Sequence, residues 1–529
     1  MSESSATIGI NFGTCSTSIG YEGRADCLAN EEGDRQIASV LAFHGQEEVV
    51  GSQAKSEIPR HPKTTVANFR ATLGKSFADA ETLPGSAAPL VDKNGLPGYE
   101  ISFEESSQTF SGAEVSAKFL RHIRESAEAF LGCKIGGAVM AVPSYFSEEQ
   151  RKELKQSAES AGIKVLQLIH ESAAAALAYD VGAADQDKTV VICDLGAHSL
   201  DVTVMTVRSG IFSILATAHD VKLGGVSFDD LLIAHFVTEF KKKAKIDITD
   251  NAKAMAKLRG AVEVTKKMLS SANSAPCFVE SLAEGVDFHS TINRMRFEIM
   301  SNKVFAKIQD VIRQVLLKAD LDASEIDEVI LAGGAARIPK FAVKLREVFS
   351  SEAVIHNEIE SDEVVARGCA IQGSLIAGFE TEDVDSLSHP IVTLAPTTQK
   401  AIGVVNASGD FVPVIPKGTA LPARRVLQFA TATEQTHAYV ALHEGDHIIE
   451  KKEIPVEPVQ TEEDEEAYEE EPEIVTTVYT RPAALLAEAI LPTSKSKNVE
   501  VQITIDVNRK LTLVLRDGEN TVKAEVPSI

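Results

Sequence analysis

A chain of 529 residues has room for several domains, because single cores rarely grow beyond about 250–300 residues. Apolar residues make up 44% and charged residues 24%, while aromatics reach only 5% with no Trp, so folded cores are expected and broad stacking platforms for single-stranded nucleic acid are not. The formal net charge of −25 argues against binding of a phosphate backbone by the whole surface, although ten acidic and no basic residues lie between Glu457 and Glu473 and leave the remainder only moderately acidic.

The segment Met1 to Thr7 is polar and has neither the basic start nor the apolar run of a signal peptide. No stretch approaches the roughly 18 apolar residues that span a bilayer, so no membrane partner and a cytoplasmic location are expected. The cysteines Cys15, Cys27, Cys133, Cys193, Cys277 and Cys369 are scattered without zinc-ligand or redox spacing, and read as reduced thiols.

From about residue 7 to 380, short apolar strands alternate with amphipathic helices, the pattern of α/β layers. First comes the strand-to-turn segment Ile8-Gly9-Ile10-Asn11-Phe12-Gly13-Thr14-Cys15. Strand-like Gly137 to Val142 follows, then helix-like Ser147 to Ala161 and a strand at Thr189 to Asp194. That strand runs into Asp194-Leu195-Gly196-Ala197-His198-Ser199, a second copy of the first design. In each copy a strand meets Asn or Asp, an apolar residue and a Gly, which turns backbone N–H groups toward a phosphate and permits close approach. The repetition implies two related half-domains with a nucleotide between them.

Leu223-Gly224-Gly225-Val226-Ser227-Phe228-Asp229 is a further Gly-Gly turn, and Val329 to Ala332 leads into Gly333-Gly334-Ala335-Ala336-Arg337-Ile338-Pro339. Between them Glu263 to Ser270 reads, on its residues alone, as a solvated helix face. Beyond residue 380 the character changes to an acidic linker at 381–390 and a β-rich segment at 391–529. Pro413, Pro416 and Pro422 are expected in loops, and the acidic run at 457–473 as a solvated insertion. Val499, Val501, Ile503, Ile505 and Val507 alternate with polar residues, as do Leu511, Leu513 and Leu515, which predicts a hairpin with one apolar face. With the chain ending at Ile529, no helical domain is expected after this segment.

The two phosphate-type turns, the two Gly-Gly turns, Val142-Pro143-Ser144-Tyr145-Phe146, Ile169-His170-Glu171-Ser172 and the helix around Glu263 together resemble the seventy-kilodalton heat shock protein chaperones of the actin-like ATPase superfamily. This resemblance covers residues 7 to 380 specifically and the β segment more loosely. It implies a two-lobed actin-like nucleotide-binding α/β fold over 1–380 and a β-sandwich-type peptide-binding domain over 391–529, without a helical lid. It also implies that Gly13, Thr14 and Cys15 approach the terminal phosphates of ATP from one side and Gly196, Ala197 and His198 from the other, with Gly224 and Gly225 nearby. Glu263, Lys266, Lys267 and Ser270 match the helix that holds adenosine, and Gly333, Gly334, Arg337 and Asp362 the opposite wall. Asp194 and Glu171, with Asp201, are what is kept of a magnesium framework.

The catalytic pattern departs from the family at several positions. Asn11 stands where active members carry Asp, and an amide is a poorer partner for hydrated magnesium than a carboxylate. Arg70 matches the lysine that contacts the γ-phosphate and attacking water, and a planar fork does not replace a point charge at a tight position. Ala197 and His198 replace glycines, and Val226 replaces an acidic residue. Phosphoryl transfer depends on positioning and electrostatic stabilisation, where one lost donor costs on the order of 10²- to 10³-fold. No residue is therefore assigned as catalytic.

This combination resembles the atypical family members of the fungal ribosome-associated complex. It implies ATP binding without productive hydrolysis, a stable zuotin-like J-domain partner, ribosome contact through that complex, and support of a ribosome-bound chaperone acting on nascent polypeptides. Pro143 and Arg151, matching positions that relay nucleotide state between domains, keep open a slow ATP-hydrolysing peptide-binding chaperone.

Overall fold

The computed structural model describes all residues except 1–4, 22–25, 46, 104–106, 183–185, 378, 380–395, 407, 432–434, 455–472, 494–497 and 519. The acidic linker and nearly all of the acidic insertion lie outside the described residues. The chain forms two compact units, the first of Met1–Val181, Val190–Val204 and Ala216–Thr393, the second of Gly182–Thr189, Met205–Leu215 and Leu394–Ile529.

Two five-stranded sheets share one connectivity. In the first the spatial order is Val165–His170, Ile135–Val142, Ala6–Phe12, Ser16–Tyr21, Ile37–Ala38; in the second it is Val354–His356, Glu328–Ala332, Lys188–Leu195, Leu200–Arg208, Ile211–Asp220. Each sheet thus places centrally the strand that ends in a glycine turn, with the next two strands on one side and two later strands on the other. Ala6–Phe12 pairs parallel with Ile135–Val142 and antiparallel with Ser16–Tyr21, and Lys188–Leu195 pairs parallel with Glu328–Ala332. Parallel strands covered on both faces read as continuous apolar runs, and residues 137–142 are buried throughout.

The helix predicted at Ser147 to Ala161 spans Glu148–Ser160. Ser147 and Gln150 form a capping box that satisfies the first orphan N–H groups, so the first turn needs no tertiary partner. Helix Val364–Ile376 packs against helix Glu171–Ala178 so closely that a Cβ on Gly368 would sit 1.8 Å from the Ala174 carbonyl oxygen. A run of alanines in the second helix makes the approach feasible, and it fixes the start of that helix, where Glu171 sits.

The second unit contains two four-stranded antiparallel sheets, in the orders Phe411–Ile415, Ala401–Val405, His437–Ile454, Glu473–Pro492 and Ala423–Ala430, Asn498–Ile505, Leu511–Arg516, Thr521–Val526. Ile402, Leu442 and Leu491 from one sheet share a buried cluster with Val501, Ile503 and Leu513 from the other, which makes a sandwich. The expected hairpin is present, with Val501 opposite Leu515, Ile503 opposite Leu513 and Ile505 opposite Leu511.

Two sequence expectations need correction here. Val507 leaves the apolar face and is exposed, because the Asp506 carboxylate accepts from the Asn508 and Lys510 amides and closes the turn one residue earlier. Pro413 lies within the strand Phe411–Ile415 rather than a loop, and that strand is at the sheet edge, where a missing N–H donor is tolerated.

Candidate functional site

Both glycine turns open onto one cleft in the first unit. Gly13, Thr14 and Cys15 line it from the first sheet, and Asp194, Gly196, Ala197 and His198 from the second. Arg70 and Glu171 line it as well, together with Gly333, Gly334 and Asp362. Asn11 opens the first turn into the same space, while Asp201 and Pro143 complete part of the wall.

The first turn is held by short-range bonding. A Cβ on Gly13 would stand 2.3 Å from the Ser16 carbonyl oxygen, so only glycine permits this turn. Ser39 secures it from behind, its hydroxyl donating to Gly13 O at 2.9 Å and its amide to Cys15 O at 2.9 Å. The second turn leans on the Gly-Gly segment. Gly225 N donates to Gly196 O and Val226 N to Ala197 O, each at 2.9 Å, and a Cβ on Gly224 would meet Ala197 O at 2.6 Å. Gly224 and Gly225 therefore brace the second turn and do not line the cleft.

Asn68 connects the turns. Its Oδ1 accepts from the Cys15 thiol at 3.5 Å and from His198 Nε2 at 3.2 Å, while its Nδ2 donates to Pro84 O and Ser86 Oγ, each at 3.2 Å. Because Oδ1 only accepts, the proton of His198 lies on Nε2. Burial, then the positive charges of Arg259 and Lys266, hold His198 down at about 4, so the ring is neutral. Burial also pushes the Cys15 thiol up to about 11, which keeps it a donor.

Three carboxylates meet nearby. Glu171 Oε1 accepts from Arg70 at 2.8 Å, and the Arg70 guanidinium lies 5.2 Å from the centre of the Phe146 ring. Asp201 accepts from His219 Nδ1 on Oδ1 at 2.6 Å and from the Ser199 hydroxyl on Oδ2 at 3.0 Å. Burial, then the charges of Glu171 and Asp201, push the Asp194 carboxyl well above the usual carboxylate range. Burial raises Glu171 too, against the pull of Arg70.

On the expected adenosine side, both oxygens of Glu263 accept from Lys55 at 2.7 Å, and Lys267 pairs with the same carboxylate at 3.0 Å. Lys266 is committed to Asp229 at 2.8 Å and Gly225 O at 3.0 Å. Ser270 lies on the same helix, Ala252–Ser271, and none of these four residues lines the cleft itself. Arg337 bonds Asp362 at 2.5 Å and Glu360 at 2.8 Å, so the opposite wall is tied through Asp362. Sequence reasoning gave no role to Asn68, His219, Tyr145, Gln36 or Lys55. Their contacts are long-range, and no local pattern around them marks a role.

Paired backbone turns with glycine walls suit a phosphate chain. The side chains do not suit a metal held by the protein directly: among the described residues no group of three or more His, Cys, Asp or Glu could hold an ion. Asp194 and Glu171 are in the cleft, but Glu171 is already engaged by Arg70.

Duplicated sheets whose central strands end in glycine turns on a shared cleft define an α/β nucleotide-binding fold. The family model described as Hsp70 protein matches residues 7–512, and the chain belongs to the Hsp70 family. A heat shock protein 70 homolog of Schizosaccharomyces pombe is 38% identical over 98% of this chain and 95% of its own. Ribosome-associated complex subunit SSZ1 of Saccharomyces cerevisiae is 36% identical over 99% of this chain and 100% of its own. A heat shock 70 kDa protein of Emericella nidulans is 36% identical over 83% of this chain and 68% of its own. Among the described residues no helix is long and apolar enough to cross a membrane.

Proposed function

We propose that this chain holds ATP in the cleft as a lasting structural ligand, without productive hydrolysis, and acts as the Hsp70 subunit of a ribosome-associated complex in the cytosol. Its partner in this reading is a zuotin-like J-domain protein, and the pair supports co-translational folding of nascent chains by a separate ribosome-bound chaperone. The observation that carries the proposal is the commitment of Arg70, at the position of the family's phosphate-contacting lysine, to a buried ion pair with Glu171. A group fixed in that way is poorly placed to follow charge as it develops on a transferring phosphoryl group. Similarity to the SSZ1 subunit along its whole length supports the choice of complex.

In this reading Gly13, Thr14, Cys15, Gly196, Ala197 and His198 surround the phosphates. The helix carrying Glu263, Lys266, Lys267 and Ser270 closes the adenosine side against Gly333, Gly334, Arg337 and Asp362. ATP bound by the closed form stabilises it by mass action. The sandwich formed within 391–529 holds an extended segment of the J-domain partner through backbone bonds and apolar pockets.

A second reading, a slow ATP-hydrolysing chaperone, is favoured by one observation: Arg151 is buried and donates to Phe146 O at 3.4 Å, beside cleft-lining Tyr145 and Pro143, as a relay from the cleft requires. Isolation of the chain from its own cells tests the choice. Stoichiometric recovery of a J-domain protein with intact ATP is the expected result. Recovery of the chain alone, or with ADP, contradicts the proposal.

A further inference from the structure

The geometry points to a nucleotide taken up without its divalent cation, with the Arg70 guanidinium and the backbone amides of the two turns answering the phosphate charge. This inference rests on the nucleotide reading above and specifies the form of the ligand.

Magnesium in nucleotide sites demands near-octahedral oxygen coordination and is anchored through one or two carboxylates plus phosphate and water oxygens. Here two of the three carboxylates, Asp201 and Glu171, accept from the protein's own donors. Both oxygens of Asp201 are taken, one by His219 Nδ1 at 2.6 Å and one by the Ser199 hydroxyl at 3.0 Å. The Tyr145 ring stacks on His219 with centroids 3.7 Å apart and an interplanar angle of 26°, which favours this placement of the imidazole. Glu171 is engaged by Arg70, whose side chain is only 9% exposed and also lies against Phe146. Asn11, at the mouth of the first turn, offers a neutral amide.

That leaves Asp194, a single carboxylate with no side-chain partner among the described residues. An ion anchored there would share the cleft with the fixed Arg70 guanidinium. A guanidinium is a permanent cation that presents several donors in a plane and pairs with phosphate oxygens in parallel, so it supplies what the metal otherwise would. Arg70 lines the cleft. His219 is the second element of the arrangement, since it competes with any metal-bound water for Asp201.

Calorimetric titration of the full-length chain, freed of nucleotide, with ATP in excess EDTA and in excess magnesium chloride tests this. The dissociation constants are expected to differ by less than about tenfold. A loss of tenfold or more in EDTA overturns the inference and leaves the nucleotide reading intact, whereas binding in neither buffer overturns both. Arg70→Ala should weaken binding in EDTA by at least tenfold more than in magnesium; equal losses would contradict the role given to the guanidinium. His219→Ala, which leaves the buried pair intact, should raise affinity in magnesium over EDTA relative to the parent chain, and no change would count against the role given to His219.

Discussion

Arg70 donates to Glu171 at 2.8 Å with side chains only 9% and 13% exposed, so a cation and a carboxylate separated by 101 positions in sequence form one buried unit in the cleft. Removing one partner of such a pair leaves the other charge uncompensated, at a cost of about 3–5 kcal/mol. Arg70→Ala is accordingly expected to destabilise the chain by that amount in urea unfolding. Arg70→Met combined with Glu171→Gln should recover most of the loss, because neither product carries a buried charge.

The Lys55–Glu263 pair behaves differently. Lys55 is 36% exposed and Lys267 71%, so screening limits Glu263→Gln to less than about 1 kcal/mol of stability. Burial resists ionisation of Glu263, yet Lys55 and Lys267 hold it down at about 2. Its contribution is present above the usual carboxylate range and disappears as pH falls toward 2. Since Lys55 lies on helix Gly51–Glu57 and Glu263 on helix Ala252–Ser271, loss of the pair should show in release of bound nucleotide. Dissociation of a fluorescent ATP analogue, followed by stopped flow, should accelerate by up to about tenfold in Glu263→Gln.

Two buried histidines contribute to the response to mild acid. Burial, then Arg151, holds His170 at about 4, and burial, then Arg259 and Lys266, does the same to His198. Both lie below the ordinary value of about 6.5, so the unfolded chain takes up protons first and stability falls as pH drops from about 6.5 toward 4. Midpoints of thermal unfolding should decline across that window. His198→Asn is expected to flatten the decline, and an unchanged pH slope in that variant would contradict a neutral buried ring.

Much of this organisation was legible in the sequence because it is local. The strand entering Gly13, the strand entering Gly196 and the hairpin of Val501 and Leu513 each announce themselves through apolar period and glycine placement within a dozen residues or so. What was hidden is what the fold brings from far away. Asn68 joins Cys15 and His198, which are 53 and 130 positions distant, and nothing near Asn68 signals either contact. The Glu263 helix read as solvated because its periodicity does not reveal that Lys55 lies across from it. Val507 and Pro413 went astray for the opposite reason, since a turn-closing Asp506 and an edge position override alternation and proline punctuation.

Gly368 offers a test of the packing that positions Glu171. A Cβ there would come within 1.8 Å of the Ala174 carbonyl oxygen, a backbone atom that cannot rotate away. Gly368→Ala should therefore force helix Val364–Ile376 from helix Glu171–Ala178 and destabilise by about 1–3 kcal/mol or more, despite alanine's higher helix propensity. A gain in unfolding midpoint would show that the helices separate more easily than their contact implies.

Restoring the missing carboxylate tests whether Asn11 acts alone. Asn11→Asp returns one group to the mouth of the first turn but leaves Arg70 on Glu171, His219 on Asp201, and Ala197 and His198 in place of glycine. ATP turnover by this variant should stay within about tenfold of the parent.

In the proposed function ATP resides in the cleft and is not consumed. Single-turnover analysis of γ-labelled ATP pre-bound to the full chain, with and without a J-domain protein, addresses it most directly. Label is expected to remain in ATP over the lifetime of the complex in both cases. Release of labelled phosphate accelerated by the J-domain protein, at a rate comparable with cycling members of the family, would contradict it.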